Sequence, residues 1–173
     1  MSETEKQSRQ PVTREGGEDM GDWKKDVQVL VHEGKISVPY SWTVGSTLSR
    51  FYCELRDNGK IWANRCPSCG AVFVPPKAKC IHCYGEPHDW VELPGTGTVE
   101  SYTVVRYSEP ALHPRQAPFV YGLVRMDGAD TCLLHFIGDV EPEKVKVGMR
   151  VEAVLEDERE GNILDIRHFR PLA

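Results

Sequence analysis

No apolar run in this sequence reaches the length of about 20 residues that a membrane-spanning helix needs. The first twenty residues, MSETEKQSRQPVTREGGEDM, also lack the apolar stretch that marks a secretory signal. We therefore expect neither a membrane protein nor a secreted one, and the sequence predicts a cytoplasmic location.

An excess of basic residues is missing as well. The 21 Lys and Arg residues are outnumbered by 26 Asp and Glu residues, which gives a net charge of -5. A surface that follows a phosphate backbone is normally basic. Residues 50–90 alone are slightly basic, with six Lys and Arg against four acids, whereas residues 91–173 carry nine against fourteen. This distribution argues against a general nucleic-acid binder.

Familiar catalytic motifs are absent too. The sequence contains no G-x-S-x-G, no phosphate loop ending in G-K-[ST] and no Rossmann glycine fingerprint. Cys132 and His135 stand three positions apart in TCLLHF, and such positions point to opposite faces of a strand. We expect Cys132 in the core and His113 in solvent. The sequence therefore predicts no catalytic residue, and an independent small enzyme is the least favoured function.

What the sequence does contain is two C-x-x-C pairs, in RCPSCGAVFVPPKAKCIHC. In a reducing cytosol such pairs favour a metal over disulfides. Zn²⁺ takes four thiolates in a tetrahedron, and a full tetrahedron leaves no position for substrate, so the site is structural. An iron centre uses the same ligands and stays open as an alternative. The predicted metal ligands are Cys66, Cys69, Cys80 and Cys83, with His82 at the surface.

The apolar pattern predicts a mainly β protein with one helix. We expect a disordered tail at 1–21, an N-terminal extension and helix at 22–60, a rubredoxin-like zinc ribbon at 61–92 and an OB-fold barrel at 93–173. Within 22–45, VQVLVHEGKISVPY favours two short extended arms around a Glu33-Gly34 turn over the alternative of a helix. In that helix one face would carry Trp23, Val27, Leu30 and Val31.

The helix is predicted over 46–57, because Leu48, Phe51, Tyr52 and Leu55 form one apolar stripe. Ser46 is the expected N-cap and Asn58-Gly59 the expected stop. The segment KIWANRC is then predicted to form a strand that leads into the first cysteine pair.

Five further strands follow the second cysteine pair, and five short strands with glycine-marked turns favour a small closed barrel of the OB-fold type. The longest break, Glu109 to Pro118, contains three prolines and is expected to be a functional or mobile loop. The predicted strands are Gly97–Ser108, Pro118–Asp127, Thr131–Ile137, Met149–Glu156 and Asn162–Phe169.

The segments SRFYCELRDNGKIWANRC, CPSCGAVFVPPKAKCIHC, WVELPGTGTVESYTVV, PFVYGLVRMDG and VGMRVEAVLE together resemble a family of zinc-ribbon plus OB-fold proteins catalogued as a domain of unknown function. The resemblance spans roughly residues 36–172, and the doubled proline and the strand G-T-G-x-V-x-S-Y-T-V make it specific. It implies a non-catalytic accessory subunit of a thiolase-like acyl-CoA enzyme. The thiolase-fold partner would supply the catalytic Cys and His, and the small subunit would dock on it and help bind or enclose the CoA substrate.

Contacts with CoA would favour basic side chains near its phosphates. Lys77, Lys79 and Arg115 are the predicted CoA-binding residues, although Lys77 and Lys79 could instead compensate the charge of the thiolate cluster. Candidate anchors for a protein partner are the four tryptophans, Trp23, Trp42, Trp62 and Trp90, with Trp62 or Trp90 expected to pack the ribbon onto the barrel. The competing function is a stand-alone single-stranded nucleic-acid-binding module, which would need a basic groove lined with aromatic rings.

Overall fold

The structure is a computed structural model that describes residues 27–28, 30–32, 38–107 and 115–172. The chain divides into two compact units, Met1–Ser41 and Trp42–Ala173. The described residues of the first unit are exposed and none belongs to a helix or a strand, so the extended arms stay a prediction. The predicted tail at 1–21 and the Glu33-Gly34 turn lie outside the described residues.

The second unit contains helix α1, Gly45–Asn58, which buries one apolar face. Phe51 and Leu55 are fully buried, and Leu48 and Tyr52 are partly buried beside them, as their spacing predicted. Gly59 ends the helix in the left-handed region, with φ 64°, and its N–H donates to the Leu55 carbonyl at 3.1 Å. No helix in the described part of the chain is long and apolar enough to cross a membrane.

The start of α1 differs from the prediction. The N-cap is Val44, which has no capping side chain, and Ser46 lies inside the first turn. The hydroxyl of Thr43 accepts a hydrogen bond from the Gly45 N–H at 3.1 Å instead. The prediction of Ser46 as N-cap is therefore wrong, because Thr43 satisfies a donor of the first turn from one residue before the N-cap.

Three short antiparallel strands form the ribbon. They are β1 (Ile61–Arg65), β2 (Val72–Phe73) and β3 (Asp89–Leu93), in the order β2-β1-β3. The first cysteine pair lies between β1 and β2 and the second lies between β2 and β3. This topology places both cysteine pairs in the loops of one sheet.

The remaining strands close into a five-stranded OB-fold barrel. They are β4 (Thr96–Val105), β5 (Phe119–Met126), β6 (Cys132–Ile137), β7 (Arg150–Leu155) and β8 (Ile166–Pro171). Their order is β4-β5-β6-β8-β7, and all neighbours are antiparallel except β6 and β8. Four of these strands match the predicted ones apart from their ends. Ser108, the predicted last residue of the first of them, lies outside the described residues.

The last strand starts four residues later than predicted. Residues Ile163–Asp165 form a short 3₁₀ turn, in which the Asn162 side chain accepts a hydrogen bond from the Leu164 N–H at 2.7 Å. The buried carboxylate of Asp165 accepts one from the Gly161 N–H at 2.8 Å. Asn and Asp three residues apart form a reciprocal cap, so this segment folds as a turn instead of the start of the predicted strand.

Ribbon and barrel share one hydrophobic core. Val72 and Val74 at the ribbon edge belong to the same buried cluster as Val99 and Ile166 of the barrel. The edge is also hydrogen-bonded to the turn between β5 and β6, because the Asp130 carboxylate accepts from the Val72 N–H at 2.8 Å. The Thr131 hydroxyl donates to the Val74 carbonyl at 2.9 Å. The metal-ligand loops are therefore held on the barrel by packing and by hydrogen bonds.

Candidate metal centre

The four predicted ligands meet in one cluster. The sulfur atoms of Cys66, Cys69, Cys80 and Cys83 all lie within 4.8 Å of one another. The Cys66 and Cys83 sulfurs are 3.4 Å apart and those of Cys69 and Cys80 are 3.5 Å apart. A zinc ion with Zn–S bonds of about 2.3 Å requires sulfur–sulfur separations of about 3.8 Å. The cluster therefore fits a tetrahedral structural metal ion with four protein ligands.

The same backbone turn forms both halves of the site. The N–H of Cys66 donates to the Ala71 carbonyl at 2.8 Å, and the N–H of Cys80 donates to the Gly85 carbonyl at 2.8 Å. Each C-x-x-C segment thus makes a tight loop that brings two sulfurs to one side of the ion.

Each turn contains one residue in the left-handed region. Gly70 has φ 78° in the first turn, and Tyr84 takes the equivalent place in the second turn with φ 59°. Only glycine adopts this backbone without a steric cost. The strained position of Tyr84 was not predicted, although alignment of the two C-x-x-C segments places Tyr84 opposite Gly70.

The ligands differ in exposure and in acidity. Cys66 and Cys80 are buried, whereas Cys69 and Cys83 are exposed. Burial raises the pKa of the Cys80 thiol, but hydrogen bonds from the backbone N–H groups of Cys83 and His82 outweigh burial and lower the pKa to about 6. A thiol with a lowered pKa is ready to bind a metal ion as thiolate.

His82 is not among the sulfur ligands. Its side chain is exposed, as predicted, and its ring stacks on Phe73 with ring centroids 6.0 Å apart. The His82 contribution to the site is its backbone N–H, which lies 3.4 Å from the Cys80 sulfur. The metal centre is therefore built from cysteines alone, and no ligand position is left for a substrate.

Asn64 holds the loops around the metal centre, and no sequence motif singles it out. The residue is fully buried on β1. Its amide donates to the Lys77 carbonyl at 2.8 Å and to the Pro87 carbonyl at 3.0 Å. Its side-chain oxygen accepts from the Lys77 N–H at 3.0 Å. Asn64 thus joins β1 to the segments that precede and follow the second cysteine pair.

The lysines near the cysteines have different surroundings. Lys79 pairs with Glu86 at 2.6 Å, so its charge already faces a carboxylate. The Lys77 ammonium forms no ion pair with any residue in the described ranges. Of these two lysines, Lys77 alone therefore offers a positive charge without an ion-pair partner in the described residues.

Arg115 lies on the barrel, and its surroundings differ from those of Lys77 and Lys79. Its guanidinium lies over the Phe136 ring, 4.3 Å from the centroid, and donates a hydrogen bond to the Arg167 carbonyl. Lys77 and Lys79, by contrast, belong to the ribbon. The structure thus gives no shared contact to the three predicted CoA-binding residues.

The tryptophans divide into exposed and half-buried ones. Trp42 is 71% exposed. Trp62 and Trp90 are half-buried on β1 and β3, and the Arg50 guanidinium lies 4.4 Å from the Trp90 ring centroid. Trp23 lies outside the described residues. Of the three tryptophans that the structure describes, Trp42 therefore has the most exposed side chain.

Cys132 and His135 do not form a catalytic pair. Cys132 is half-buried, and Leu134 two residues on is exposed, whereas Leu133 and His135 are buried in the barrel. The His135 ring is hydrogen-bonded to the Ile166 carbonyl. The prediction of opposite faces is confirmed, but the prediction that Cys132 is a core residue is wrong, since alternation places it with the outward positions of β6.

A four-cysteine ribbon fixed to an OB-fold barrel defines the class of this protein. Two family models match the same parts of the chain. Residues 54–89 match the model described as ChsH2, rubredoxin-like zinc ribbon domain, and residues 90–156 match the model described as ChsH2, C-terminal OB-fold domain.

Sequence identity to two relatives shows which family the chain belongs to. A DUF35 domain-containing scaffold protein of Methanocaldococcus jannaschii is 32% identical over 113 residues, which are 62% of this chain and 79% of the relative. Another, from Pyrococcus furiosus, is 30% identical over 129 residues, which are 72% of this chain and 93% of the relative. The chain belongs to the DUF35 family.

Two further matches have names that refer to enzymes. A probable enoyl-CoA hydratase alpha subunit of Thermomonospora curvata is 31% identical over 102 residues, which are 58% of this chain and 31% of the relative. Among solved structures, a chain of the Ltp2-ChsH2(DUF35) aldolase is similar with a TM-score of 0.57 and 28% identity, over 75% of this chain and 98% of that chain.

Proposed function

We propose that this protein is a non-catalytic accessory subunit of a thiolase-like acyl-CoA enzyme and docks on a thiolase-fold catalytic subunit. The observation that carries the proposal is the similarity to a chain of the Ltp2-ChsH2(DUF35) aldolase, which extends over 98% of that chain. The aldolase is named as a pair of two proteins. A DUF35 chain of the same fold therefore has a precedent as one component of an enzyme.

The chemistry of the described residues supports the same division of labour. Four cysteines fill the metal coordination sphere, so the ion has no open position for a substrate. Within the described ranges, Cys132 and His135 do not form a nucleophile–base pair. The nucleophile and the base of an acyl-CoA reaction would then come from the partner.

More specifically, we propose that the enzyme is the benzoylsuccinyl-CoA thiolase of anaerobic toluene degradation. The segment VPYSWTVGSTLSRF and the extended N-terminus resemble the small subunit of that enzyme. The reaction would use the thiol of CoA to cleave benzoylsuccinyl-CoA into benzoyl-CoA and succinyl-CoA. Zinc is the metal that we propose for the four cysteines, and metal analysis of the purified protein distinguishes it from iron.

Contact between this subunit and CoA is a separate part of the proposal. Lys77, Lys79 and Arg115 are the candidates, and each can be replaced by Ala in the assembled enzyme. If one of these residues binds CoA, its replacement by Ala should raise the KM for the acyl-CoA several-fold. If KM is unchanged for all three variants, this subunit does not bind CoA through them.

Nucleic-acid binding is less compatible with the barrel surface. Tyr121 and Phe136 stack on each other with ring centroids 4.7 Å apart, and Arg115 covers Phe136. These two rings are stacked on each other and therefore do not offer free faces on which bases can stack. The net charge of -5 opposes phosphate binding as well.

The experiment that tests the proposal uses the enzyme purified through a tag on this chain. The complex is incubated with benzoylsuccinyl-CoA and CoA, and benzoyl-CoA formation is followed. We expect turnover by the complex, none by this chain alone, and normal turnover by a complex with Cys132→Ala. Turnover by the isolated chain, or loss of turnover on Cys132→Ala in a complex that still assembles, would contradict a non-catalytic role.

A further inference from the structure

A groove lies between the start of α1 and the loop that follows β2. Its volume is about 440 Å³, within the range of about 300–1,000 Å³ typical of ligand pockets. One wall comes from Val44 to Leu48 together with Tyr52, and the other comes from Pro75 to Ala78. The groove has room for a few side chains of another molecule.

The lining of the groove is apolar with positive charge. Val44, Leu48, Tyr52, Pro75 and Pro76 supply most of the apolar surface. Lys77 is the charged residue of the lining, which contains no acidic side chain. Because the Lys77 ammonium forms no ion pair within the described ranges, the groove is complementary to an apolar segment that carries a negative charge.

Exposed apolar residues continue the groove along the chain. Val44 in the lining is 42% exposed, and Trp42, two residues earlier, is 71% exposed. Large exposed apolar side chains beside a groove are typical of protein interfaces, where tryptophan is a frequent anchor. The exposed apolar surface of Val44 within the lining therefore favours a protein occupant.

We propose that the groove receives a segment of the catalytic subunit in which an Asp or Glu side chain is flanked by apolar residues, with the carboxylate paired to Lys77. This inference rests on the proposed function, since it requires a partner subunit. CoA fits the lining less well, because it carries several phosphates and Lys77 is the one cation that lines the groove. Lys77 then contacts the partner, and Lys79 and Arg115 are left as the candidate CoA contacts.

Two variants test the groove in the full-length protein. Lys77→Glu reverses the charge, and Ala78→Trp fills the groove from an exposed position that does not contribute to the core. Lys146→Glu is the matched control, because Lys146 is also exposed and forms no ion pair within the described ranges but does not line the groove. Circular dichroism and metal content show that each variant is folded.

The affinity for the purified catalytic subunit is measured by biolayer interferometry. We expect Lys77→Glu to weaken binding at least about tenfold, with a weaker salt dependence, because an attraction becomes a repulsion. Ala78→Trp should weaken it further by occupying the groove, and Lys146→Glu should bind like the wild type. Equal affinities for the wild type, Lys77→Glu and Ala78→Trp would overturn the assignment.

Carbodiimide cross-linking identifies the occupant directly, because it joins an amine to a carboxylate without a spacer. In the wild-type complex we expect Lys77 to be linked to an Asp or Glu of the catalytic subunit. Protection of Lys77 by CoA in the free chain, or a link from Lys77 to a second copy of this chain, would overturn the assignment. If no thiolase-fold subunit copurifies with the wild type, the proposed function fails; if one copurifies and the variants bind it normally, only the groove assignment fails.

Discussion

At the scale of single residues, we expect the side chain of Asn64 to make a large contribution to the free energy of unfolding. Asn64→Ala would leave the buried Pro87 carbonyl and the partly buried carbonyl and N–H of Lys77 without their partner. A buried polar group without a partner costs about 1–3 kcal/mol, so we expect a loss of about 2–4 kcal/mol in the free energy of unfolding. Denaturant titration of the metal-loaded protein measures it.

Asn58→Ala is the control for this prediction. Asn58 makes one exposed hydrogen bond, to Glu54 at 2.7 Å, and surface substitutions of this kind change stability by at most about 0.5 kcal/mol. If the two variants are equally stable, Asn64 does not hold the ribbon together.

Asp127 should contribute to the free energy of unfolding in a way that is lost at acid pH. Hydrogen bonds from the Arg150 guanidinium and the Thr96 hydroxyl lower the pKa of the Asp127 carboxyl to about 2. A carboxyl whose pKa is lowered by folding contributes stability above its unfolded pKa of about 3.9 and loses it as the pH falls through the folded pKa. We therefore expect the stability difference between the wild type and Asp127→Asn to shrink between about pH 4 and pH 2.

Denaturant titrations across this pH range measure the effect. Arg150→Gln should flatten the same part of the pH curve, and the double variant should be no flatter than Asp127→Asn alone. Arg125→Gln breaks a different exposed ion pair, with Glu100 at 2.6 Å, and should leave the Asp127 effect intact. A constant difference between the wild type and Asp127→Asn from pH 4 to pH 2 would contradict this interpretation.

At the scale of elements, the two ligand turns should respond oppositely to matched substitutions. Gly70→Ala places a Cβ at φ 78°, whereas Tyr84→Gly removes one at φ 59°. The left-handed backbone costs a residue with a side chain about 1–2 kcal/mol. We expect Gly70→Ala to weaken metal binding in a competition with a chromogenic chelator, and Tyr84→Gly to preserve or strengthen it. The opposite order would mean that the two turns are not equivalent.

The sequence predicted elements well where one local pattern dominated. The stripe of Phe51 and Leu55 defined α1, and the two C-x-x-C pairs defined the ribbon loops. Errors occurred where a short polar contact decides the local structure. Thr43 replaces Ser46 at the start of α1, and the cap formed by Asn162 and Asp165 turns a predicted strand into a 3₁₀ turn. Apolar periodicity contains no information about such contacts.

At the scale of the whole molecule, loss of the metal should destabilise the ribbon and the barrel together. Val72 and Val74 of the ribbon share one buried core with the barrel strands. Binding of a structural zinc ion supplies about 10 kcal/mol or more of folding free energy. We expect a strong chelator to lower the midpoint of thermal unfolding by at least about 10 °C in one cooperative transition, measured by differential scanning calorimetry.

Two cysteine substitutions distinguish the effect of losing a metal ligand from the effect of replacing a cysteine that is not a ligand. Cys80→Ser removes a buried ligand and should act like the chelator. Cys53→Ser changes an exposed cysteine of α1 and should leave the midpoint and the metal content unchanged. Two separate transitions after chelation, with the barrel unaffected, would show that the two parts fold independently.

The candidate site could be predicted only in part from the sequence. The metal ligands follow from their spacing, because a C-x-x-C turn has one geometry. The support from Asn64 could not be predicted, since it depends on two loops that are 13 and 23 residues away in sequence. The groove beside Lys77 likewise needs α1 and the loop after β2 to be brought together, which the sequence did not specify.

The most direct test of the central claim is the composition of the complex that this chain forms in its own cells. The tagged chain is isolated from native extract, and its mass is measured by native mass spectrometry and size-exclusion chromatography. We expect a stoichiometric complex with a thiolase-fold protein. A chain that elutes alone, or with nucleic acid that salt removes, would contradict it.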